Sequence, residues 1–276
     1  MDRIRLIASD MDATLLDEQS QLPADFEETI HALAELGIRF APASGRPLYT
    51  LEAMFPTLQD ELVFIGDNGG AIRWKGQNLF TSEMSPEGWR ALNRLTREQG
   101  DIAVLCGLES AYVERPFAVH DAVLRHFYTK IEYVDRLEDV TAPADKFTIY
   151  LPQHNAQQAY DTVYASQRSI YSVAVAGECW VDIMNPGVHK GAALQTLGQL
   201  WGLPSESIMA FGDTYNDAEM LQTVRYGFLM ENGSVPLRQK VPFLAPSHRE
   251  AGVMQVLHRV LAQNGCVCPE DFVPAH

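Results

Sequence analysis

The apolar run Ile4-Arg5-Leu6-Ile7-Ala8 leads through Ser9 into Asp10-Met11-Asp12-Ala13-Thr14, and no other stretch restricts the fold of this chain as much. A short β-forming run that ends in two acids spaced i, i+2 sets both carboxylates at the carboxyl edge of a sheet. In open α/β sheets that edge is where ligands bind. Far downstream a second apolar run, Ser207-Ile208-Met209-Ala210-Phe211, ends in Gly212-Asp213-Thr214-Tyr215-Asn216-Asp217. Two strand ends tipped with paired acids imply one shared divalent-cation site, because crowded carboxylates repel and a hard cation relieves them.

The first part of the chain alternates strand and helix. Pro23 opens a segment with Phe26, Ile30 and Leu33 on one helical face, and Gly37 stops it. Ile38-Arg39-Phe40-Ala41 is the second expected strand, followed by Pro42-Ala43-Ser44-Gly45-Arg46 and another helical stretch. Leu62-Val63-Phe64-Ile65 is the third, and the turn Asp67-Asn68-Gly69-Gly70 opens a hairpin running to Phe80. This is the start of a doubly wound, Rossmann-like parallel sheet.

From Met84 to Pro186 the character changes. Helices are expected at Pro86 to Gln99 and Ala118 to Tyr128, and strands at Ile102–Cys106, Lys146–Leu151, Tyr171–Ala176 and Trp180–Ile183. The expected organisation is an α/β core, residues 1–83 and 187–276, interrupted by an inserted α+β domain at 84–186. The core pattern resumes with a helix over 189–201 carrying Leu194, Leu197 and Leu200/Trp201, closed by Gly202-Leu203-Pro204.

Charge narrows the function classes. Lys plus Arg is 21 against 36 Asp plus Glu, a formal net charge of −15, which disfavours nucleic acid and anionic membranes as partners. An anionic substrate needs a local cation or a positive pocket to offset that field. The sequence has neither a signal-peptide pattern nor an apolar run of transmembrane length, so the expected location is cytoplasmic. The four cysteines are few and scattered. Cys266 and Cys268 near the tail are read as reduced thiols rather than a metal or redox pair.

Each candidate site residue has a plain reading beside a chemical one. Asp10 suits a nucleophile, a metal ligand or a turn acid. Asp12 is expected to face the same way along an extended backbone, beside that nucleophile, as a general acid/base. Thr14 caps the following turn or holds the nucleophile's rotamer. Ser44-Gly45-Arg46 offers a hydroxyl and a Gly amide to a phosphate oxygen, or serves as an N-cap and turn. Lys190, at the amino end of a helix, opposes the helix dipole, which suggests that an anion sits there. Asp213 and Asp217 straddle a strand-to-helix turn, where Asp217 also suits a first-turn acid and Asn216 a cap.

Taken in order, Asp-x-Asp-x-Thr, Ser-Gly-Arg, Lys-Gly and Gly-Asp-x-x-Asn-Asp resemble the motifs of the haloacid dehalogenase superfamily of aspartate-based phosphatases. The insertion at 84–186 falls where the Cof-like hydrolases of that superfamily carry a mixed α/β cap. The resemblance covers almost the whole chain, including Asp67-Asn68-Gly69 before the cap and Val181-Asp182-Ile183…Gly187-Val188-His189-Lys190-Gly191 at its exit.

The resemblance implies Asp10 as nucleophile and Mg²⁺ ligand, and Asp12 as general acid/base that also gives the metal a backbone carbonyl. It implies Ser44 with Gly45, Arg46 and Lys190 on the phosphoryl group, Asp213 as a metal ligand, Asp217 on the metal or its waters, and Asn216 positioning phosphate or Lys190. Ala13 stands where the family usually has Gly, Ser44 replaces the commoner Thr, and His189 stands where a small polar residue is usual. No chemical group is lost by these departures.

The function so implied is Mg²⁺-dependent hydrolysis of phosphomonoesters of small metabolites (sugar phosphates, nucleotides or cofactor phosphates) through an aspartyl-phosphate, by a monomer or homodimer. The alternatives are a phosphomutase or a dedicated sugar-phosphate phosphatase, and a phosphate-binding module that hydrolyses nothing. In the cap, Arg115, His120, Arg125, His126 and Lys130, with Phe127 and Tyr128, form a locally basic, aromatic stretch, read as a solvated helix face.

Overall fold

The computed structural model describes all 276 residues. Its main sheet has nine strands, in the spatial order Val273–Pro274, Phe243–Ala245, Tyr226–Met230, Ile208–Gly212, Leu6–Asp10, Arg39–Ala43, Val63–Gly66, Ala71–Trp74, Gln77–Thr81. From Phe243–Ala245 to Val63–Gly66 every neighbouring pair is parallel, and the strands at both edges are antiparallel. The two strands that carry the acidic motifs lie side by side, with Phe211 opposite Ser9.

These central strands read as unbroken apolar runs because both faces are covered. Every residue of Leu6–Asp10 and of Ile208–Gly212 is buried. The period of two splits them: Ile7, Met209 and Phe211 face the helices Phe26–Glu35 and Gly252–Ala262. Leu6, Ala8 and Ala210 face the helices Lys190–Trp201 and Ala218–Gln222. Phe211 stacks on Phe228 at 5.0 Å, and truncating such a ring to Ala typically costs about 3–5 kcal/mol. That rigid platform fixes where the strand tips point.

The inserted region builds a separate six-stranded sheet in the order Ser172–Val175, Trp180–Met184, Ala144–Tyr150, Ile102–Gly107, Ala111–Glu114, Ile131–Val134. The architecture is therefore mixed α/β, a parallel core sheet with an inserted mixed sheet. The helix Pro86–Gln99 starts and stops as its residues dictate. Ser85 caps it by accepting from Gly88 N, Pro86 occupies its first turn, and Gly100 ends it at φ 74. It covers one face of the sheet with Trp89 and Leu92. The other face holds Tyr150, Trp180, Phe127 and Tyr128 in tilted and edge-on contacts. Entry and exit of the insertion lie side by side. The Asn185 amide donates to Ser82 O at 3.2 Å and to Glu83 O at 2.9 Å.

Four elements of the insertion differ from the sequence reading. Ala118 to Tyr128 is a 3₁₀ segment, Arg115–His120, and only then an α-helix, Asp121–Phe127. The backbone breaks at His120 (φ −97, ψ 11), and Asp121 supplies the acid of a new first turn. The strands Ala111–Glu114 and Ile131–Val134 pair in parallel with each other at the sheet edge, too short to give a strong pattern. The six-residue helix Ala156–Asp161 is likewise below the length at which periodicity is legible. No helix is long and apolar enough to cross a membrane.

Candidate active site

Three neighbouring parallel strands end at one place. Asp10 is the last residue of its strand, paired with Ala43. Ser44 follows on one side, and Asp213 follows Gly212 on the other. Carboxylate oxygens of Asp10, Asp213 and Asp217 all lie within 4.8 Å of one another.

Lys190 enters this group from the first position of the helix Lys190–Trp201 and is fully buried. Its ammonium donates to Asp10 Oδ1 and, at 2.7 Å, to Asp217 Oδ1. The anions that offset its unfavourable place at a helix start are thus protein carboxylates. His189 sets where that helix begins, its Nδ1 accepting from Ala192 N at 3.1 Å. Its side chain is the cap of that helix.

Asp217 is also fully buried, and its second oxygen accepts from the amides of Asp213 and Thr214 at 3.0 and 3.1 Å. That closes the turn Thr214–Asp217 as a capping box. Gly212 is required here, since a Cβ at that position would collide with the Asp217 side chain. Asn216 does not reach Lys190; it is exposed, and its Oδ1 accepts from Thr214 Oγ1 at 2.6 Å.

Burial dominates the electrostatics. It raises the Asp10 carboxyl to about 8, with Asp217 adding to the shift and Lys190 opposing it. Burial and Asp217 raise Asp213 to about 7. For Lys190 burial pulls downward, but Asp10 and Asp217 outweigh it and the ammonium is held charged. One ammonium does not neutralise three crowded carboxylates, so the donor set fits a hard divalent cation. Asp10 and Asp213 offer oxygens to it; both oxygens of Asp217 are engaged with Lys190 and backbone amides.

Asp12 departs from the expected arrangement. The backbone turns helical at Met11, between the two acids, is extended again at Asp12 (φ −72, ψ 129), and then takes a left-handed φ of 58 at Ala13. The Asp12 side chain is 55% exposed and lies 2.9 Å from Arg46 Nη2, apart from the three clustered acids. Ala13 occupies a conformation that costs a non-glycine residue about 1 kcal/mol. Its carbonyl accepts from Asn232 Nδ2 at 2.8 Å, which helps to hold it. Thr14 Oγ1 is buried without a partner, so it does not act as a cap. Ser44 is buried, and its Oγ accepts from Arg46 N at 3.1 Å across the turn.

The basic stretch of the insertion is largely exposed, at Arg115, Arg125, His126 and Lys130. Arg115 pairs with Asp135, Arg125 with Asp121, and Lys130 lies over the Tyr49 ring at 5.8 Å. Cys266 and Cys268 are free thiols.

The sequence reading missed one polar cluster. Lys146, Asp67 and Asp182 are buried together where the inserted sheet meets the core. The available signal was Asp145 and Lys146, both buried, in the strand Ala144–Tyr150, and Asp182 in the otherwise apolar strand Trp180–Met184.

Residues 7–257 match the family model of haloacid dehalogenase-like hydrolases. The chain is 31% identical over 262 residues to the 5-amino-6-(5-phospho-D-ribitylamino)uracil phosphatase YbjI of Escherichia coli K12, covering 94% of this chain and 96% of that one. It is 31% identical over 249 residues to the HMP-PP phosphatase of Cronobacter sakazakii, covering 87% of this chain and 89% of that one. The crystal structure of SMU.1108c from Streptococcus mutans UA159 superposes with a TM-score of 0.85 at 28% identity, covering 94% of this chain and 99% of that one. The chain belongs to the haloacid dehalogenase-like hydrolases, as a phosphatase of that family.

Proposed function

We propose that this phosphatase hydrolyses phosphomonoesters of small metabolites with Mg²⁺, through a phosphorylated Asp10. The observation that carries this reading is the convergence of Asp10, Asp213, Asp217 and Lys190 at adjoining strand tips, with Ser44 on the neighbouring tip. A charge-neutralising lysine beside a nucleophilic carboxylate is the arrangement phosphoryl transfer needs, since positioning and charge compensation supply most of its catalysis.

In this reading Asp10 and Asp213 hold the metal, joined by the Asp12 carbonyl, while Asp217 orients its surroundings. When bound, the metal neutralises phosphoryl oxygens and the crowded carboxylates. The Asp10 carboxylate attacks phosphorus, and the bond to the leaving-group oxygen breaks as the Asp12 carboxyl gives that oxygen its proton. Asp12 then takes a proton from water. The water oxygen attacks the aspartyl-phosphate, releasing inorganic phosphate and restoring Asp10. Lys190, Ser44, Gly45 and Arg46 hold the phosphoryl oxygens. Arg46 holds Asp12 outward until its guanidinium turns to the substrate's phosphate, freeing Asp12 to swing inward. Asn216, exposed and bonded to Thr214, contributes by shaping its turn.

We take residues 84–186 as a cap over a core of 1–83 and 187–276, selecting the leaving group at the cap–core boundary. The relatives' substrates suggest phosphorylated sugar-alcohol and pyrimidine compounds as the first class to try. The formal net charge of −15 opposes an anionic substrate, so Lys190, Arg46 and the proposed cation must offset that field.

The test is a phosphate-release screen with Mg²⁺ over sugar phosphates, nucleotides, flavin mononucleotide, pyridoxal phosphate and the two relatives' substrates. A hydrolase releases inorganic phosphate. A mutase leaves phosphate on a product sugar, and a binding module does neither; either outcome sinks the reading.

A further inference from the structure

Lys146 has no part in the chemistry above, yet it is buried to 2% exposure at a boundary between two units. An ammonium there loses its hydration, a cost that a methionine of similar length would avoid. What it touches explains its presence. The turn Ser44-Gly45-Arg46 has three carbonyls in succession. Those of Ser44 and Arg46 accept from the amides of Asn68 and Asp67, each at 2.9 Å, which zips the turn to the end of the next core strand. The Gly45 carbonyl between them accepts from Lys146 Nζ at 2.6 Å, across 101 residues of sequence.

The same ammonium lies 2.9 Å from Asp67 Oδ1 and 3.7 Å from Asp182 Oδ2. Asp182, on the neighbouring inserted strand, accepts from Asn68 Nδ2 at 3.0 Å and from Thr148 Oγ1 at 2.7 Å. Two strands of the inserted sheet therefore end their polar contacts on the two core turns at 44–46 and 67–68. Opposite charges and donors leave one docking register: a slip by one residue along Ala144–Tyr150 would turn Lys146 to the other face and bring Phe147 to Gly45.

We infer that Lys146 is a positioning residue that joins seating of the inserted sheet to the shape of the Ser44-Gly45-Arg46 turn. This rests on the proposal that the turn holds the phosphoryl group. With Lys146 on its carbonyl, Gly45 presents its own amide and Ser44 Oγ in one orientation, while the amides of Ser44 and Arg46 donate to Ile65 O and Ser44 Oγ. With the inserted sheet displaced, that carbonyl loses its donor and the turn relaxes. Phosphate binding and cap seating are then one event.

The experiment compares the parent with Lys146→Met, which removes the donors, and Lys146→Arg, which keeps charge and donors. It reads kcat and KM on a small ester, competitive inhibition by inorganic phosphate, and amide exchange over residues 43–47. Lys146→Met should lose at least tenfold in kcat/KM, mainly through KM, bind inorganic phosphate at least tenfold more weakly, and exchange faster at 43–47. Lys146→Arg should recover most of all three. A folded Lys146→Met protein within twofold of the parent in phosphate inhibition and in exchange at 43–47 overturns the inference.

Should Lys146→Met fail to fold, the parent alone decides. Inorganic phosphate with Mg²⁺ should slow exchange at 43–47 and at 144–148 together. Slowing at 43–47 without 144–148 overturns the coupling. Failure of the phosphatase reading looks different, because phosphate then protects neither segment and no ester is turned over.

Discussion

Arg46 and Asp12 form an ion pair at 2.9 Å that holds the second acid of the first strand tip away from the first. The Asp12 side chain is 55% exposed, so solvent screens the pair, and it adds only about 0–1 kcal/mol to stability. Its consequence lies in the site.

Arg46→Ala should therefore leave the melting temperature nearly unchanged and lower kcat/KM by about 10–100-fold, as expected for losing a charged hydrogen bond to a phosphoryl group. Thermal unfolding and steady-state kinetics on one ester check both halves. A variant with parental kcat/KM would place Arg46 outside the site.

Asp10→Asn should abolish turnover of every phosphomonoester while leaving the fold intact, because a carboxamide cannot form the acyl phosphate. The amide oxygen can still accept from Lys190, which keeps the buried contact. Circular dichroism reports the fold and phosphate release the rate. Retention of a tenth of the parental kcat refutes the assignment.

The arrangement of these residues was only partly legible in sequence. The strand ends carrying Asp10, Ser44 and Asp213 were, because unbroken apolar runs bounded by turn residues survive almost any context. The direction of Asp12 was not. Spacing i, i+2 predicts a shared side only if the backbone stays extended, and the helical conformation of Met11, between the two acids, breaks that premise. Asp217 as the partner of Lys190 was equally hidden, since Asn216 and Asp217 differ by one position on a tight turn. The cluster around Lys146 depends on contacts between two separately folded sheets. No local pattern encodes such a contact.

Asp12 and Asp213 should separate in a magnesium titration. Asp213→Ala removes a proposed metal ligand, so raising Mg²⁺ should restore part of the rate. Asp12→Ala removes proton transfer and should depress turnover about 10²–10⁴-fold at every concentration. Identical titration curves for the two variants would remove the reason for giving them different roles.

Metal binding should be linked to protons, in a direction the electrostatics fix. Burial raises Asp10 to about 8 and Asp213 to about 7, from an ordinary value of 3.8. Without metal, the folded protein keeps these protons over a range in which the unfolded chain has already released them. The folded state then binds more protons, so these groups make stability fall as pH rises from about 4 toward 8. A divalent cation needs both carboxylates ionised, and near pH 5 it must displace their protons. Its affinity should climb with pH, by up to about tenfold per unit for each proton displaced, and level off above about 8. Melting temperatures measured at pH 5 to 8.5 with EDTA and with fixed Mg²⁺ test this directly. The gap between the two curves should widen as pH rises through 7 and 8. A gap that stays constant over that range would mean that Asp10 and Asp213 are already ionised in the metal-free protein, or that the cation binds elsewhere. Asp213→Asn should decide between those two: it abolishes the gap if the cation sits at the strand tips and leaves it untouched if it does not.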